Sequence, residues 1–163
     1  LKDGRPTTLV TVAGSRKQGP YKFRFEATQK LVLGSSGDRF NSQDVIESNS
    51  ILRSGDPNLK VSLLIPDAVL TGQRYDLDVI FDDPLNGAVV AGAIKPVTVS
   101  ELLRLQAPDL QLEALGGGGL FKTVQAPFQP GSQTWAVLLV HPKGIVAASK
   151  QVRVVAKRSE LTL

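Results

Sequence analysis

The chain contains no cysteine and no methionine among its 163 residues. The first absence excludes disulfide bonds, thiol nucleophiles, thiolate metal sites and iron–sulfur clusters. Histidine occurs once, at His141, so a Ser-His-Asp relay or a multi-histidine metal site would depend on that single residue. We read His141, which ends a strand before a Pro-Lys-Gly turn, as a surface turn residue. We therefore predict no metal or other cofactor and no enzymatic activity.

Because a translated chain begins with Met, Leu1 predicts either a mature protein whose targeting peptide was removed or a fragment of a longer chain. We expect a secreted, periplasmic or lumenal protein, with a cytoplasmic fragment as the alternative.

Charge and long apolar runs are also scarce. Charged residues make up 21% of the chain and hydrophobic residues 42%, which indicates a folded chain rather than a disordered one. The net charge of +4 is modest, and one Trp, two Tyr and six Phe leave few rings to stack on bases, so we expect no nucleic-acid partner. The longest apolar runs, Trp135 to Val140 and Ala88 to Ile94, are too short to cross a bilayer, which takes roughly 18 residues.

Apolar residues alternate with period two along most of the sequence, and 15 glycines and 10 prolines supply turns between these segments. This pattern predicts an all-β fold, a sandwich or a barrel. The strands predicted after position 56 are Leu59 to Ile65, Arg74 to Asp82, Gly87 to Ile94, Leu110 to Ala114, Gly119 to Val124, Gln133 to His141 and Ser149 to Ala156.

Two connections stand out between these strands. Val99 to Gln106 is the one segment with helical character, and it ends before Pro108, so we predict a short helical crossover between two sheets. Gly116 to Gly119 is followed by a strand-like segment rather than by a helix, which favours a flexible hairpin turn over a phosphate-binding loop.

The segment from Ala126 to Val155 has a Pro-Gly corner, a strand containing Trp135, a Pro-Lys-Gly turn and a last strand. It resembles the final hairpin of an immunoglobulin-like or fibronectin type III-like sandwich, and the resemblance extends over residues 57–156. It implies an antiparallel β-sandwich and, since such sandwiches host many functions, no particular activity. The chain is also similar to uncharacterised secreted proteins of photosynthetic bacteria.

The N-terminal segment, residues 1–56, differs from this region. Thr8 to Ala13 and Tyr21 to Thr28 predict an N-terminal β-hairpin, because aromatic and charged residues alternate in the second segment. The polar stretch from Gly34 to Asn58 predicts a long loop. We therefore divide the chain into an extension (1–56) that either joins the sandwich or forms a separate layer, a β-sandwich (57–156) and a tail (157–163).

Four aspartates, Asp76, Asp78, Asp82 and Asp83, lie on or beside one predicted strand. Clustered carboxylates can hold Ca²⁺ or act as an acid–base pair. Strand positions two apart diverge, however, so we favour a solvated face. A hydrolase, or a ligand- or carbohydrate-binding domain, that uses these aspartates is the alternative function.

Basic residues cluster near the first hairpin and at the end of the last strand. They permit an acidic protein partner or an anionic lipid surface. The residues are Arg16, Lys17, Lys22, Arg24, Lys157 and Arg158.

The strand from Gln133 to His141 is apolar on both faces, although a sandwich covers only one face of each sheet. Trp135, whose face includes Val137 and Leu139, is predicted to lie between the sheets. Ala136, Leu138 and Val140 point outward, and with Ile80 they are our candidate interaction residues. The N-terminal segment, a partner chain or a second copy would cover them. We thus favour a non-catalytic protein-binding or structural module, within a larger assembly or self-associating.

Overall fold

The computed structural model describes residues 4–82 and 85–162. The fold is all-β, with 63% of the described residues in strands and 6% in helices, which confirms the predicted fold class. The strands are β1 (Thr7–Gln18), β2 (Tyr21–Ser36), β3 (Arg39–Gly55), β4 (Val61–Leu64), β5 (Ala68–Leu70), β6 (Arg74–Phe81), β7 (Ala91–Val97), β8 (Glu113–Ala114), β9 (Gly119–Gln125), β10 (Gly131–His141) and β11 (Gly144–Val155). Helix α1 spans Val99–Arg104, and a 3₁₀ turn spans Arg158–Glu160.

These strands form two sheets. The large sheet has the order β1-β2-β3-β11-β10-β7-β8, and β5 also pairs with β11. The small sheet has the order β4-β6-β9. All described pairs are antiparallel except β5 with β11.

The core lies where the small sheet packs on the inner face of β7, β10 and β11. Trp135 is 4% exposed and belongs to one buried cluster with residues of the small sheet, which confirms its predicted place between the sheets. The most deeply buried members on the two sides are Leu77, Val79, Leu139, Val146 and Val152.

Strands β1, β2 and β3, which we call the N-terminal ribbon, extend the large sheet beyond this core. Gly19, with φ of 58°, lies in the tight turn between β1 and β2. The predicted hairpin is confirmed and is longer than expected. The predicted loop over Gly34 to Asn58 is wrong, because most of it is β3, which pairs with β2 on one side and β11 on the other.

The two predicted connections also differ from expectation. Helix α1 is present but is no crossover between sheets, since it follows β7 and leads to β8, which pairs with β7. After this helix, the chain passes from the large sheet to the small one at Gly116 to Gly119, between β8 and β9. That segment is therefore not a hairpin turn. Neither helix in the described ranges is long and apolar enough to cross a membrane.

One edge of β11 serves two partners in succession. Gly144 to Lys150 pair with β3, and Arg153 to Val155 pair with β5. The ribbon therefore separates from β11 near Lys150. Close to that point, the hydroxyl oxygens of Ser50 on β3 and Ser149 on β11 lie 2.6 Å apart in a hydrogen bond.

Candidate interaction surface

The face of the large sheet that points away from the small sheet is apolar across six neighbouring strands. Residues directly opposite one another in the register share a face, so the pairings define rows across the sheet. We call this surface the outer face and define it by three rows. The central row is Ala93, Leu138, Ala147, Leu52, Phe25 and Gly14; one flanking row is Ala91, Val140, Ile145, Ser54, Phe23 and Arg16; the other is Lys95, Ala136, Ser149, Ser50, Ala27 and Val12.

The predicted residues Ala136, Leu138 and Val140 thus lie together on β10, in three successive rows. The structure adds residues that sequence analysis missed, above all Leu52 and Phe25 from the ribbon and Ile145 from β11. The alternation of Phe23, Phe25 and Ala27 was the available signal for the β2 part of this surface. It did not reveal that these residues would continue the outer face of β10.

Several outer-face side chains are open to solvent. Phe25 is 38% exposed, Ile145 45% and Val12 52%, while Leu138 and Leu52 are half-buried between their neighbours. A shallow depression of about 260 Å³ lies over the ribbon, lined by Gly14, Ser15, Arg16, Phe23, Phe25 and Leu52. A single-layer sheet therefore presents its apolar side to water here.

The N-terminal segment does not cover this surface. The ribbon pairs edge to edge with β11 and lengthens the sheet, so of the three covers that the sequence left open, the N-terminal segment is not the one. At the opposite end, the Nζ atom of Lys95 donates to the carbonyl of Asp109 at 3.0 Å, which brings the segment after α1 to the margin of the outer face. Cover by a partner or by a second copy stays a prediction.

Ile80 does not belong to the same surface. It lies on β6 of the small sheet, among the residues that alternate with buried Leu77, Val79 and Phe81. Because the two sheets pack through their inner faces, Ile80 and Leu138 lie on opposite sides of the molecule. The four candidate interaction residues therefore do not form one site.

The aspartates lie on or near the solvent side of the small sheet. Oδ1 of Asp76 accepts a hydrogen bond of 2.6 Å from the hydroxyl of Thr123 on β9, and Asp78 is two residues further along β6. Asp82 follows the strand, and Asp83 lies outside the described residues. Within residues 4–82 and 85–162, no three His, Asp or Glu side chains are grouped as metal ligands.

His141 takes part in the turn between β10 and β11. Its Nδ1 atom accepts a hydrogen bond of 3.0 Å from the backbone N–H of Lys143, and its ring lies 5.4 Å from that of Phe81, centroid to centroid. These contacts give His141 a structural part in the turn, where sequence analysis placed it.

The core contains a short polar network. Nε1 of Trp135 donates to Oη of Tyr75 at 3.0 Å, and Oη of Tyr75 donates to Oε1 of Gln133 at 2.7 Å. Burial raises the pKa of Tyr75 above its ordinary value of 10.0, and the hydrogen bond from Trp135 partly opposes this shift. The network links β6 to β10 and keeps a buried phenol and a buried indole satisfied.

The basic residues divide between the two faces of the ribbon. Arg16 borders the outer face, whereas Arg24 and Arg53 lie directly opposite each other on the inner face. Oε2 of Glu26 is 3.4 Å from Nη1 of Arg53. A cavity of about 590 Å³ opens on this side; its charged lining comprises Lys22, Arg24, Glu26, Arg53, Asp56, Lys60 and Asp82. The mixed signs leave no concentrated anion site.

The described structure is thus of one class, an all-β protein with a two-sheet core and an open apolar sheet face. Residues 56–155, more than half of the chain, match the family described as a domain of unknown function (DUF8623), and the chain belongs to that family. The matched span begins directly after β3 ends at Gly55, so the whole N-terminal ribbon lies outside it. No curated protein matches the chain.

Proposed function

We propose that this chain is a non-catalytic module that binds another protein through its outer face. The observation that carries the proposal is the central row, in which six strands place Ala93, Leu138, Ala147, Leu52, Phe25 and Gly14 side by side. Leaving apolar surface in water costs about 25 cal/mol for each Å². Contiguous apolar patches on folded proteins commonly mark binding sites.

The shape of the surface supports a protein partner rather than a small molecule. Six strands spaced about 4.8 Å apart give an apolar strip about 24 Å wide. Small-molecule sites are concave and enclose most of their ligand, whereas the outer face is a sheet surface with one shallow depression. A flat strip of this size suits a second sheet or an amphipathic helix.

The margins of the strip have the composition of an interface rim. Arg16 ends one flanking row and Lys95 ends the other, so cations stand at opposite corners of an apolar centre. Protein interfaces commonly pair an apolar centre with a polar rim. This arrangement favours a partner with an apolar strip and acidic residues beside it.

Two matched lysine substitutions test the proposal. Ile145→Lys places a charge on the outer face, whereas Leu64→Lys places the same charge on a 57% exposed leucine of β4 in the small sheet. We expect proteins captured from an extract of the native host, and then identified and purified, to bind wild type and Leu64→Lys alike and Ile145→Lys at least about tenfold more weakly. Equal binding by all three, with circular dichroism unchanged, would refute the outer face as the binding surface.

A further inference from the structure

The free edge of the large sheet at β1 is unprotected over most of its length, in contrast with the edge at the other end. β1 has twelve residues, pairs only with β2, and every one of its residues is exposed. It contains no proline, and its charged residues are only Arg16 and Lys17 near one end. Leu9, Val10 and Val12 are 63%, 40% and 52% exposed. Natural proteins usually blunt such edges by shortness, charge, proline or cover.

The opposite edge of the same sheet is protected by shortness and by proline. β8 is two residues long, and Pro96 interrupts the donor groups of its neighbour β7. The small sheet ends in strands of four and seven residues, β4 and β9. Residues 39–48 of β3 also lack a partner on the side away from β2, but register shifts interrupt their pairing with β2. Among the described strands, β1 therefore has the longest free edge that is also regular.

We infer that β1 pairs antiparallel with β1 of a second copy of this chain, which joins two large sheets into one. This surface is the edge of the sheet and is independent of the proposed docking on the outer face. Because the far end of each sheet is only two residues of β8, pairing at β1 closes as a twofold dimer and does not propagate into a fibre.

Charge selects the antiparallel orientation. The two cations of β1, Arg16 and Lys17, are neighbours at its C-terminal end. Parallel pairing would set each beside its own copy, about 4.8 Å away. In an antiparallel pair centred on Val12, Arg16 faces Thr8 of the second copy, and the two Arg16 residues are about 27 Å apart, well beyond the screening length of about 8 Å at physiological salt.

The backbone provides the bonds for this register. A two-residue hairpin turn is closed by hydrogen bonds between its flanking residues, here Gln18 and Tyr21. Even-numbered residues of β1 then bond to β2, and the odd-numbered ones, such as Thr11, direct their N–H and C=O groups outward. Pairing residues 7–17 about Val12 forms about twelve main-chain hydrogen bonds, as many as a standard interface carries.

The register also sets side chains against suitable neighbours. Val12 meets Val12 of the second copy as a close, non-hydrogen-bonded pair, a favourable contact between β-branched residues. Val10 faces Gly14, where an added Cβ would find nothing within 4 Å. The two flanking rows that end at Val12 then become continuous across the dyad.

Sedimentation of the full chain from about 1 to 500 µM, with two variants, tests the inference. We expect a monomer–dimer equilibrium in wild type. Thr11→Pro removes an outward N–H and should weaken the dimer at least about tenfold, whereas the control Thr11→Ala keeps that N–H and should dimerise normally. Circular dichroism should be unchanged in both, because the lost donor faces away from β2.

Cross-linking adds a readout that does not depend on the proline variant. The chain has no cysteine, so a single introduced thiol can form only an intermolecular disulfide. Val12→Cys should give a disulfide dimer on mild oxidation, whereas Val10→Cys should not, since its two copies would be about 14 Å apart.

Three results would overturn the inference. They are a monomer at every concentration, a dimer unaffected by Thr11→Pro, and equal cross-linking by Val10→Cys and Val12→Cys. A dimer that resists Thr11→Pro but is lost in Ile145→Lys would place self-association on the outer face. That outcome refutes edge pairing while leaving the proposed function intact.

Discussion

The two halves of the large sheet differ in the residues on their inner face. Beneath the small sheet, inner residues such as Val137 and Val146 are apolar and almost fully buried. In the N-terminal ribbon, the inner face carries Arg24 and Arg53, whereas Phe25 and Leu52 lie on the outer face. Apart from Ile51, which packs against the core cluster, this part of the ribbon is held to the molecule by strand pairing with β11. The apolar outer face is common to both halves.

Truncating an aromatic side chain in each half should give the largest contrast. Trp135→Ala should lower the free energy of unfolding by about 3–5 kcal/mol, because it empties part of the core. Phe25→Ala, at a side chain 38% exposed, should cost less than about 1 kcal/mol. Urea unfolding followed by far-UV circular dichroism measures both, and equal losses would contradict the division into a packed and an unpacked half.

Two glycines allow the same comparison by addition of one methyl group. A Cβ at Gly92 would lie 2.8 Å from Cδ2 of Leu139 and 3.0 Å from Cδ1 of Leu120, whereas a Cβ at Gly14 would meet nothing within 4 Å. Gly92→Ala should therefore destabilise by about 1–3 kcal/mol. Gly14→Ala should stabilise by about 0.5–1 kcal/mol. Thermal unfolding of both variants measures this difference. Changes in melting temperature of the same sign would refute the expected difference in packing.

The hydrogen-bond network of Tyr75 and Trp135 predicts a pH-dependent contribution to stability in the half of the large sheet that packs on the small sheet. Tyr75→Phe leaves the indole N–H of Trp135 without its partner and should cost about 1–2 kcal/mol at pH 7. Because the pKa of Tyr75 is raised on folding, its contribution is present below pH 10 and is lost as the pH rises through the higher folded value.

Unfolding curves of wild type and Tyr75→Phe should therefore converge at alkaline pH. Tyr21, which is 62% exposed on the ribbon, provides the control through Tyr21→Phe, which should leave stability near neutral pH almost unchanged. A gap between wild type and Tyr75→Phe that stays constant above pH 10 would show that the phenol is not the group responsible.

The smallest expected effect concerns the inner face of the ribbon. Arg24 and Arg53 are directly opposite in the register, and like charges in such positions destabilise a strand pair. Arg24→Glu should raise the free energy of unfolding by about 0.2–1 kcal/mol, with the gain shrinking in high salt. Arg24→Gln should gain less, and a loss with Arg24→Glu would argue against the register.

Period-two alternation was sufficient to predict the strands that border the core. β6 and β10 alternate because one face of each is packed, and Trp135 was placed correctly for that reason. β3 was mistaken for a loop because residues such as Asn41 and Asp44 are exposed, so no burial imposes an apolar pattern on that end of the strand. The dipeptide Gly37-Asp38, a hairpin-turn signal, was the one local indication of the pairing between β2 and β3.

The candidate surface was predicted in part. Both faces of β10 are apolar, but a sandwich covers only one face of each sheet. The sequence therefore revealed that β10 has an uncovered apolar face. The extension of that face into the ribbon depended on which strand pairs with the edge of β11. Backbone hydrogen bonds determine that choice, and they leave little trace in side-chain composition. The inclusion of Ile80 failed for a related reason, because sequence does not reveal which strands share a sheet.

The pairing of β3 with β11 has a consequence for biosynthesis. Ser50 and Ser149, which meet across these strands, are separated by 99 positions in the chain. At translation rates of about 5–20 residues per second, β3 waits roughly 5–20 s for its neighbour to be made. During that interval the nascent ribbon has two open edges, β1 and β3, and only the Asn49–Gly55 part of the second is later closed within the same molecule. A chaperone that acts early on this chain would therefore find its target in the ribbon, before the family domain exists.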